Sequence, residues 1–366
     1  MKPSLVALGA LGCIAGVVAI AASVAVPPAA PPTPPGPVHG PAPQKPVPPA
    51  PTAVTLPALG VAPTVAAAVP TAPAKRAFAV QVLAFSPWGS GPGELGHRLQ
   101  AEGNPEGPMS LAADDRGNLY VLDQVNRRVV VFDERGSITR TIPTGTDTVQ
   151  DLAVHDLGVV LLDRLAEKVV RFVGLDGTER GRVALEGQGV SEGGGVTGVF
   201  VTPDGTWVEV EHRTLVRVAT PAGLPDAKRP TIDGRPTAAG LLRAARDPSG
   251  GALVTAAPSK GGAPGLLVRV SFSEPVLTLL SLDADREGRV YVGAHLLREG
   301  AAPLHDILAE RITVVSLSPS GTELARLDLP PPDGPEETKR TLAVAPNGDV
   351  FHLHVGTTGV TIRRAR

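Results

Sequence analysis

The chain has one cysteine among its 366 residues, and aromatic side chains make up only 3% of it. A single cysteine excludes an intramolecular disulfide framework and any zinc site built from paired CxxC motifs. The chain also contains no HExxH motif and no P-loop. It therefore lacks the local signatures of zinc proteases and of P-loop nucleotide hydrolases.

Acidic residues are absent from the first 74 positions, and only Lys2 and Lys45 of the 34 basic residues lie there. The rest of the chain is left with 32 basic against 36 acidic residues. A weakly acidic body does not provide the basic surface that nucleic acids require. We therefore expect no nucleic-acid partner.

An uncharged apolar run extends from Leu5 to Val26. About 22 residues at 1.5 Å each span roughly 33 Å, which is enough for the hydrocarbon core of a bilayer. Two interpretations of residues 1–26 stay open: an uncleaved membrane anchor, favoured by the length of the run, and a cleaved signal segment. Because Lys2 precedes the run, both place the rest of the chain outside the cytoplasm, in a bacterial periplasm or at the cell surface.

Residues 27–76 are rich in proline and almost uncharged. Proline fixes φ and removes the backbone donor, so neither a helix nor a sheet is expected there. The composition predicts a disordered, extended tether of polyproline II character, and a PxxP recognition site is the alternative.

Beyond residue 76 a pattern of turns and short apolar strands repeats. Its first copy reads DDRGNLYVLDQVNRRVVVFDERG, from Asp114 to Gly136. Six turns align on a glycine that follows one strand and precedes the next; these are Gly117, Gly158, Gly205, Gly250, Gly288 and Gly348. A period of about 40–47 residues with four short strands is that of a propeller blade. Residues 77–366 are thus predicted to form an all-β, six-bladed β-propeller.

The last repeat ends with its third strand, GVTIRRAR, and an unpaired apolar segment, Phe78–Phe85, precedes the first repeat. We expect this segment to supply the missing fourth strand of the last blade. Such pairing closes the ring and removes an exposed sheet edge.

The first repeat resembles the NHL repeat, whose pattern is matched here by Pro108, Gly117, Asn118, Asp123, Asn126, Arg128, Val129 and Phe132. Arg127 stands where that family usually has histidine. The second repeat matches in part, at Gly158, Asp163, Val169 and Phe172. The resemblance implies a six-bladed propeller and no single activity, because NHL-like propellers include RNA-binding modules, an amidating lyase and extracytoplasmic scaffolds.

Candidate catalytic residues are few. Asp123 and Asp163 end second strands, where a carboxylate ordinarily accepts hydrogen bonds from the following turn. The polar residues that end first strands are interpreted as turn residues as well; these are Asp114, Asp156, Asp204, Asp247, Asp285 and Asn347. The sequence therefore predicts no metal and no cofactor, and a propeller hydrolase or lyase with a metal in the central channel is the alternative.

The long connections are predicted to share one face of the ring, which we call the loop face; they are Ser86–Gly107, Ala257–Gly265, His295–Arg311 and Pro330–Lys339. The short turns, such as that of Gly117, share the opposite face, the turn face. Within the third connection, residues 303–311 have the apolar spacing of a short helix. Long loops on a rigid scaffold form binding surfaces. We therefore expect a non-catalytic scaffold that binds an envelope protein or glycan through Trp88, Glu94, His97, His295, Leu304, His305 and Asp306.

Overall fold

The computed structural model describes residues 77–155, 157–237, 240–257 and 265–366. The predicted membrane or signal segment, residues 1–26, and the predicted tether, residues 27–76, lie outside the described residues. In the described part of the chain, no helix is long and apolar enough to cross a membrane.

The described residues form six antiparallel sheets of four strands each, and strand β1 (Val80–Pro87) belongs to the last of them. Blade 1 contains β2 (Ser110–Ala113), β3 (Leu119–Asp123), β4 (Arg128–Phe132) and β5 (Ile138–Pro143). Blade 2 contains β6 (Asp151–His155), β7 (Gly158–Asp163), β8 (Val169–Gly174) and β9 (Glu179–Ala184). A short 3-10 helix (Gly193–Gly195) precedes blade 3, which contains β10 (Val196–Thr202), β11 (Gly205–Val210), β12 (Thr214–Ala219) and β13 (Thr231–Asp233).

The second half of the ring has the same number of strands. Blade 4 contains β14 (Arg235–Thr237), β15 (Gly240–Arg246), β16 (Ala252–Ala257) and β17 (Leu266–Val270). Blade 5 contains β18 (Val276–Ala284), β19 (Val290–Glu299), β20 (Ile307–Leu317) and β21 (Glu323–Leu329). Blade 6 contains β22 (Leu342–Val344), β23 (Val350–Gly356), β24 (Gly359–Ala365) and β1. The predicted six-bladed propeller is confirmed.

Each blade is apolar on both faces because it packs between two neighbours. In β3, Leu119 and Val121 pack in one cluster with Phe351 of blade 6. Tyr120 and Leu122, which alternate with them, pack in another cluster with Leu152 of blade 2. Successive side chains of a strand point to opposite faces, so one strand contributes to two cores. Each fully buried aliphatic side chain contributes roughly 1.5–3 kcal/mol to stability.

Strand β1 closes the ring as expected. It pairs antiparallel with β24 in a register that places Val80 opposite Ala365 and Pro87 opposite Gly359. The amide of Ala79 also donates to the carbonyl of Arg366. The sheet edge that β24 would otherwise expose is therefore paired within the chain.

The motif residues of blade 1 form hydrogen bonds with the connection that follows β1, Ser86–Gly107. The buried Asp123 carboxylate accepts hydrogen bonds from the Gly96 amide at 2.8 Å and from Arg128 Nε at 2.7 Å. Arg128 also donates to the Glu94 carbonyl at 2.7 Å, and Asn126 Nδ2 donates to the Gly89 carbonyl at 2.8 Å. The best match to the NHL pattern therefore lies where the ring is closed, and its polar residues hold the Ser86–Gly107 connection.

Blade 4 differs from the expected arrangement. The segment LLRAAR precedes the Gly250 turn, which is the position that the repeat gives to a first strand, but it lies in β15, the second strand, and the three-residue β14 precedes it. The amide of Val276, at the beginning of β18, donates to the carbonyl of Gly250. The Gly288 turn follows the other end of the nine-residue β18. The Gly250 turn therefore lies on the loop face and not on the turn face.

The same shift moves one predicted loop. The Ala257–Gly265 connection joins the third and fourth strands of blade 4, so its ends lie on the turn face. The prediction that it contributes to the loop face was wrong, whereas the Ser86–Gly107, His295–Arg311 and Pro330–Lys339 connections follow second or fourth strands as expected.

The predicted helix at residues 303–311 is also absent. Ile307 begins β20 and pairs with Glu299, so this segment is the returning half of a β-hairpin. Its apolar residues satisfy a helical spacing locally, but cross-strand pairing with β19 provides the backbone hydrogen bonds instead.

We expect Arg128→Met to lower the free energy of unfolding by roughly 3–5 kcal/mol, because it leaves the buried Asp123 carboxylate without its cationic partner. Urea unfolding followed by circular dichroism measures this loss. Arg135→Met, at an exposed turn arginine, is the matched control and should stay within about 0.5 kcal/mol of the parent. Equal stability of the two variants would contradict the fastening role of Arg128.

Candidate functional site

Three predicted loop-face residues lie in the Ser86–Gly107 connection, and all three have internal partners. The Trp88 and His97 rings stack with centroids 4.7 Å apart, and His97 Nε2 lies 3.3 Å from Glu336 Oε1. Trp88 Nε1 donates to the Thr357 carbonyl at 3.2 Å. The Glu94 carboxylate accepts a hydrogen bond from the Gly91 amide at 2.7 Å. These contacts attach the connection to blade 6.

The other four predicted residues lie on the β19–β20 hairpin. His295 Nε2 lies 2.7 Å from Glu310 Oε1 across the hairpin, and His305 Nδ1 lies 3.6 Å from Glu299 Oε2. Leu304 is 76% exposed, and Asp306 is exposed beside it. No hydrogen bond, ion pair or ring contact within the described residues joins this group to Trp88, so the structure places the candidates in two separate groups.

The central channel contains a third group, which the sequence analysis missed. The inner strands β2, β6, β10, β14, β18 and β22 surround a cavity of about 240 Å³. Leu280 and Val344, which are partly exposed, give this cavity some apolar surface. Arg235, Asp283 and Arg340 line the same cavity.

Asp151 on β6 is the buried centre of this group, with no exposed surface. Its carboxylate accepts hydrogen bonds from Ser110 Oγ at 2.5 Å, from the Val199 amide at 3.0 Å and from Arg340 Nη2 at 2.7 Å. The donors belong to blade 1, to blade 3 and to the segment that precedes β22 of blade 6. One carboxylate on blade 2 therefore joins four blades, and it determines where the Arg340 guanidinium lies.

Arg235 on β14 is held in a similar way. Its Nε donates to Glu209 Oε1 at 2.9 Å, and its Nη1 donates to the Leu282 carbonyl at 2.7 Å. The guanidinium carbons of Arg235 and Arg340 lie 4.7 and 5.4 Å from the centroid of the Phe200 ring. A cation over an aromatic face is attracted by the ring quadrupole. Phe200 thus orients both arginines in the channel.

Burial and neighbouring charges shift the ionisation of the channel groups. Burial raises the pKa of the Asp283 carboxyl, and the charges of Arg235 and Arg340 oppose that rise. Burial alone would raise the pKa of Glu209, but His212, 3.6 Å away, together with the charge and the hydrogen bonds of Arg235, holds that pKa below its ordinary value. Glu209 is therefore an ionised partner of Arg235, whereas Asp283 retains a proton to higher pH than an exposed aspartate.

The carboxylates proposed for a channel metal occupy turns instead. Asp114 accepts hydrogen bonds from the Arg116 and Asn118 amides, and Asp285 accepts them from the Glu287 and Arg289 amides. Asp163 likewise accepts hydrogen bonds from the amides that follow it, as predicted. Among the residues with described positions, no three His, Cys, Asp or Glu side chains are grouped so that they could hold a metal ion. Asp156 lies outside the described residues.

One GxSxG pattern is present in the chain, GVSEG from Gly189 to Gly193. A nucleophile elbow needs a strand before the serine and an α-helix after it. Here β9 ends at Ala184, and the three-residue 3-10 helix that begins at Gly193 is the next element. Ser191 is exposed in this link. The pattern therefore does not form the elbow of a serine hydrolase.

The channel residues left a weak signal in the sequence. Asp283 is the one charged residue in an otherwise uncharged first strand, LTLLSLDA, and it lines the cavity. Arg235 gave no such signal, because the strand that carries it has three residues and contains a proline.

Comparison with known proteins finds only distant similarity to solved structures. No family model and no curated protein matches the chain, so the NHL resemblance stays a prediction. Similar solved structures include a hydrazine synthase of Kuenenia stuttgartiensis, at 13% identity and a TM-score of 0.41 over 68% of this chain and 76% of that one. A gluconolactonase of Xanthomonas campestris has 15% identity and a TM-score of 0.39 over 79% of this chain and 89% of that one. A virginiamycin B lyase of Staphylococcus aureus has 13% identity and a TM-score of 0.37 over 75% of this chain and 81% of that one. At these values the likeness does not extend to activity or ligand.

Lys339, which immediately precedes Arg340, provides a pH-dependent test of the channel. Burial lowers the pKa of Lys339 to about 8, and the charges of Arg164 and Arg340 contribute. An unfolded lysine titrates near 10.4, so the unfolded chain binds more protons between about pH 8 and 10.4, and stability rises with pH across that window. Lys339→Met should therefore raise Tm by roughly 2–5 °C at pH 7, and this gain should shrink towards pH 10.

Differential scanning calorimetry at pH 7, 8.5 and 10 measures that effect. Lys228→Met, at an exposed lysine, is the control and should change Tm equally little at each pH. A gain in Lys339→Met that is independent of pH would show that lost charge is not its cause.

Proposed function

We propose that the protein is a non-catalytic propeller scaffold that binds an envelope protein through the β19–β20 hairpin on its loop face. The observation that carries the proposal is an exposed apolar tip on this hairpin. Leu304, Ile307 and Leu308 are 76%, 62% and 56% exposed. Large apolar side chains grouped on one exposed element are typical of a protein-binding site.

The hairpin extends beyond its own blade. Strand β21 pairs with β20 only as far as Ile312, and β18 pairs with β19 only as far as Leu296. The residues between Leu296 and Ile312 therefore form a two-stranded ribbon, with which no third strand pairs in the part of the chain that the structure describes.

Polar contacts hold the base of the ribbon in place. His295 contacts Glu310 across it, and Arg298 Nε donates to Glu274 Oε2 at 2.6 Å, which joins the ribbon to the segment before β18. A ribbon fixed at its base presents its apolar tip in one orientation, which lowers the entropy that binding costs. An apolar surface of aliphatic side chains favours a protein partner over a glycan.

The extracytoplasmic location belongs to the same proposal. Its support is the sequence of residues 5–26, which has the length and charge distribution of a membrane anchor or signal segment, and the proline-rich tether that follows. A tether of this composition would hold the propeller away from the membrane surface, where the hairpin could reach a partner.

The triple variant Leu304→Ser, Ile307→Ser, Leu308→Ser tests the hairpin. We expect the partner recovered with the full-length protein after crosslinking in intact cells to fall at least about tenfold, because three apolar contacts are lost. The double variant Leu157→Ser, Leu224→Ser is the control, since these leucines are 67% and 63% exposed in turns of the turn face.

Unchanged recovery in the triple variant, with Tm equal to that of the parent, would overturn the proposal. Co-sedimentation of both variants with purified envelope polysaccharide distinguishes a glycan partner from a protein partner. A loss of sedimentation confined to the triple variant would assign the hairpin to a glycan instead of a protein.

A further inference from the structure

The central channel contains polar side chains with N–H donors that no acceptor within the described residues engages. Within the described residues, the Arg340 side chain makes one hydrogen bond, from Nη2 to Asp151. A guanidinium has five N–H donors, so Nε and Nη1 of Arg340 remain available. The side chains of Arg235 and Arg340 are both 21% exposed, although they lie deep between the blades. Solvent in the channel therefore reaches both guanidinium groups.

The charge of the lining limits the ligand. Arg235 is paired with Glu209, and Arg340 is paired with Asp151, so each arginine already has one carboxylate partner. Asp283, the remaining acidic residue of the lining, faces both guanidinium groups, and no described side chain donates a hydrogen bond to it. A ligand with two negative charges would meet more repulsion from the Asp283 carboxyl than a ligand with one, so the lining accommodates one negative charge better than two.

The volume and the apolar side chains of the cavity indicate the size and the uncharged part of the ligand. A volume of about 240 Å³ holds a molecule of about ten non-hydrogen atoms. Leu280 and Val344, which are partly exposed, provide apolar surface in the cavity. The arginines are also fixed in advance by their carboxylates and by the Phe200 ring, so little entropy is lost when they bind an anion.

We propose that the channel binds a small apolar monocarboxylate, whose carboxylate accepts hydrogen bonds from Arg340 and Arg235 and whose apolar part lies against Leu280 and Val344. The site is independent of the hairpin proposed above for a protein partner, so either proposal stands if the other fails.

Isothermal titration calorimetry of the full-length protein in a non-ionic detergent tests the site with benzoate as the probe. We expect saturable binding of benzoate, and affinities at least about tenfold lower for benzamide, which has no charge, and for phenyl phosphate, which carries a second one. Equal affinity for benzamide would overturn the anion site. Tighter binding of phenyl phosphate would overturn the monocarboxylate assignment, and no binding of benzoate would overturn the proposal as a whole.

The paired variant Arg235→Met, Glu209→Gln removes one guanidinium without leaving its carboxylate partner charged and buried. Benzoate affinity should fall at least about tenfold in this variant. The matched control is Arg217→Met, Asp226→Asn. Arg217 likewise pairs with a buried carboxylate and lies 5.6 Å from the Trp207 ring, but it does not line the cavity. An equal loss in both variants would overturn the assignment.

A second variant, in which a larger side chain fills part of the cavity, tests the site if the paired variant does not fold. Val154 lines the cavity and is partly exposed, and it takes part in none of the ion pairs. Val154→Phe should reduce benzoate affinity at least about tenfold by occupying the lumen, in a protein whose circular dichroism spectrum matches that of the parent. Full benzoate affinity in this variant would place the bound probe elsewhere and would overturn the proposal.

Discussion

The ring depends on the hydrogen bonds that surround one buried carboxylate, that of Asp151. A charged group without exposed surface costs several kcal/mol unless donors surround it, and Ser110, the Val199 amide and Arg340 are those donors. Because they belong to three different blades, the carboxylate is satisfied only when the blades have taken their places around the channel. The hydrogen bonds at the centre of the channel therefore form only when the ring closes.

The same requirement explains why the channel is suited to an anion. Arg235 and Arg340 are in the lumen because buried carboxylates need them there, and Phe200 orients both. A carboxylate engages only part of a guanidinium, so donors remain that face the cavity. Arginines that stabilise the fold thus also form a preorganised site, and the chain needs no additional charged residue to make one.

Two expectations failed where tertiary contacts outweighed a local pattern. The strand β14 has three residues and a proline, so it gave no strand signal, and the turn of Gly250 was assigned to the wrong face. Residues 303–311 have helical spacing, yet pairing with the long strand β19 made them a hairpin. In both cases the deciding hydrogen bonds come from residues that a local pattern does not include.

The sequence by itself determined the number of blades, the closing role of the segment before the first repeat, and the turn role of Asp163. These features depend on glycine turns, on alternation within short strands and on the count of strands, which are local. Only the tertiary structure decided which polar side chains meet in the channel. Asp151 and Arg340 are 189 residues apart, and they come together because the ring brings the first strands of distant repeats to one axis.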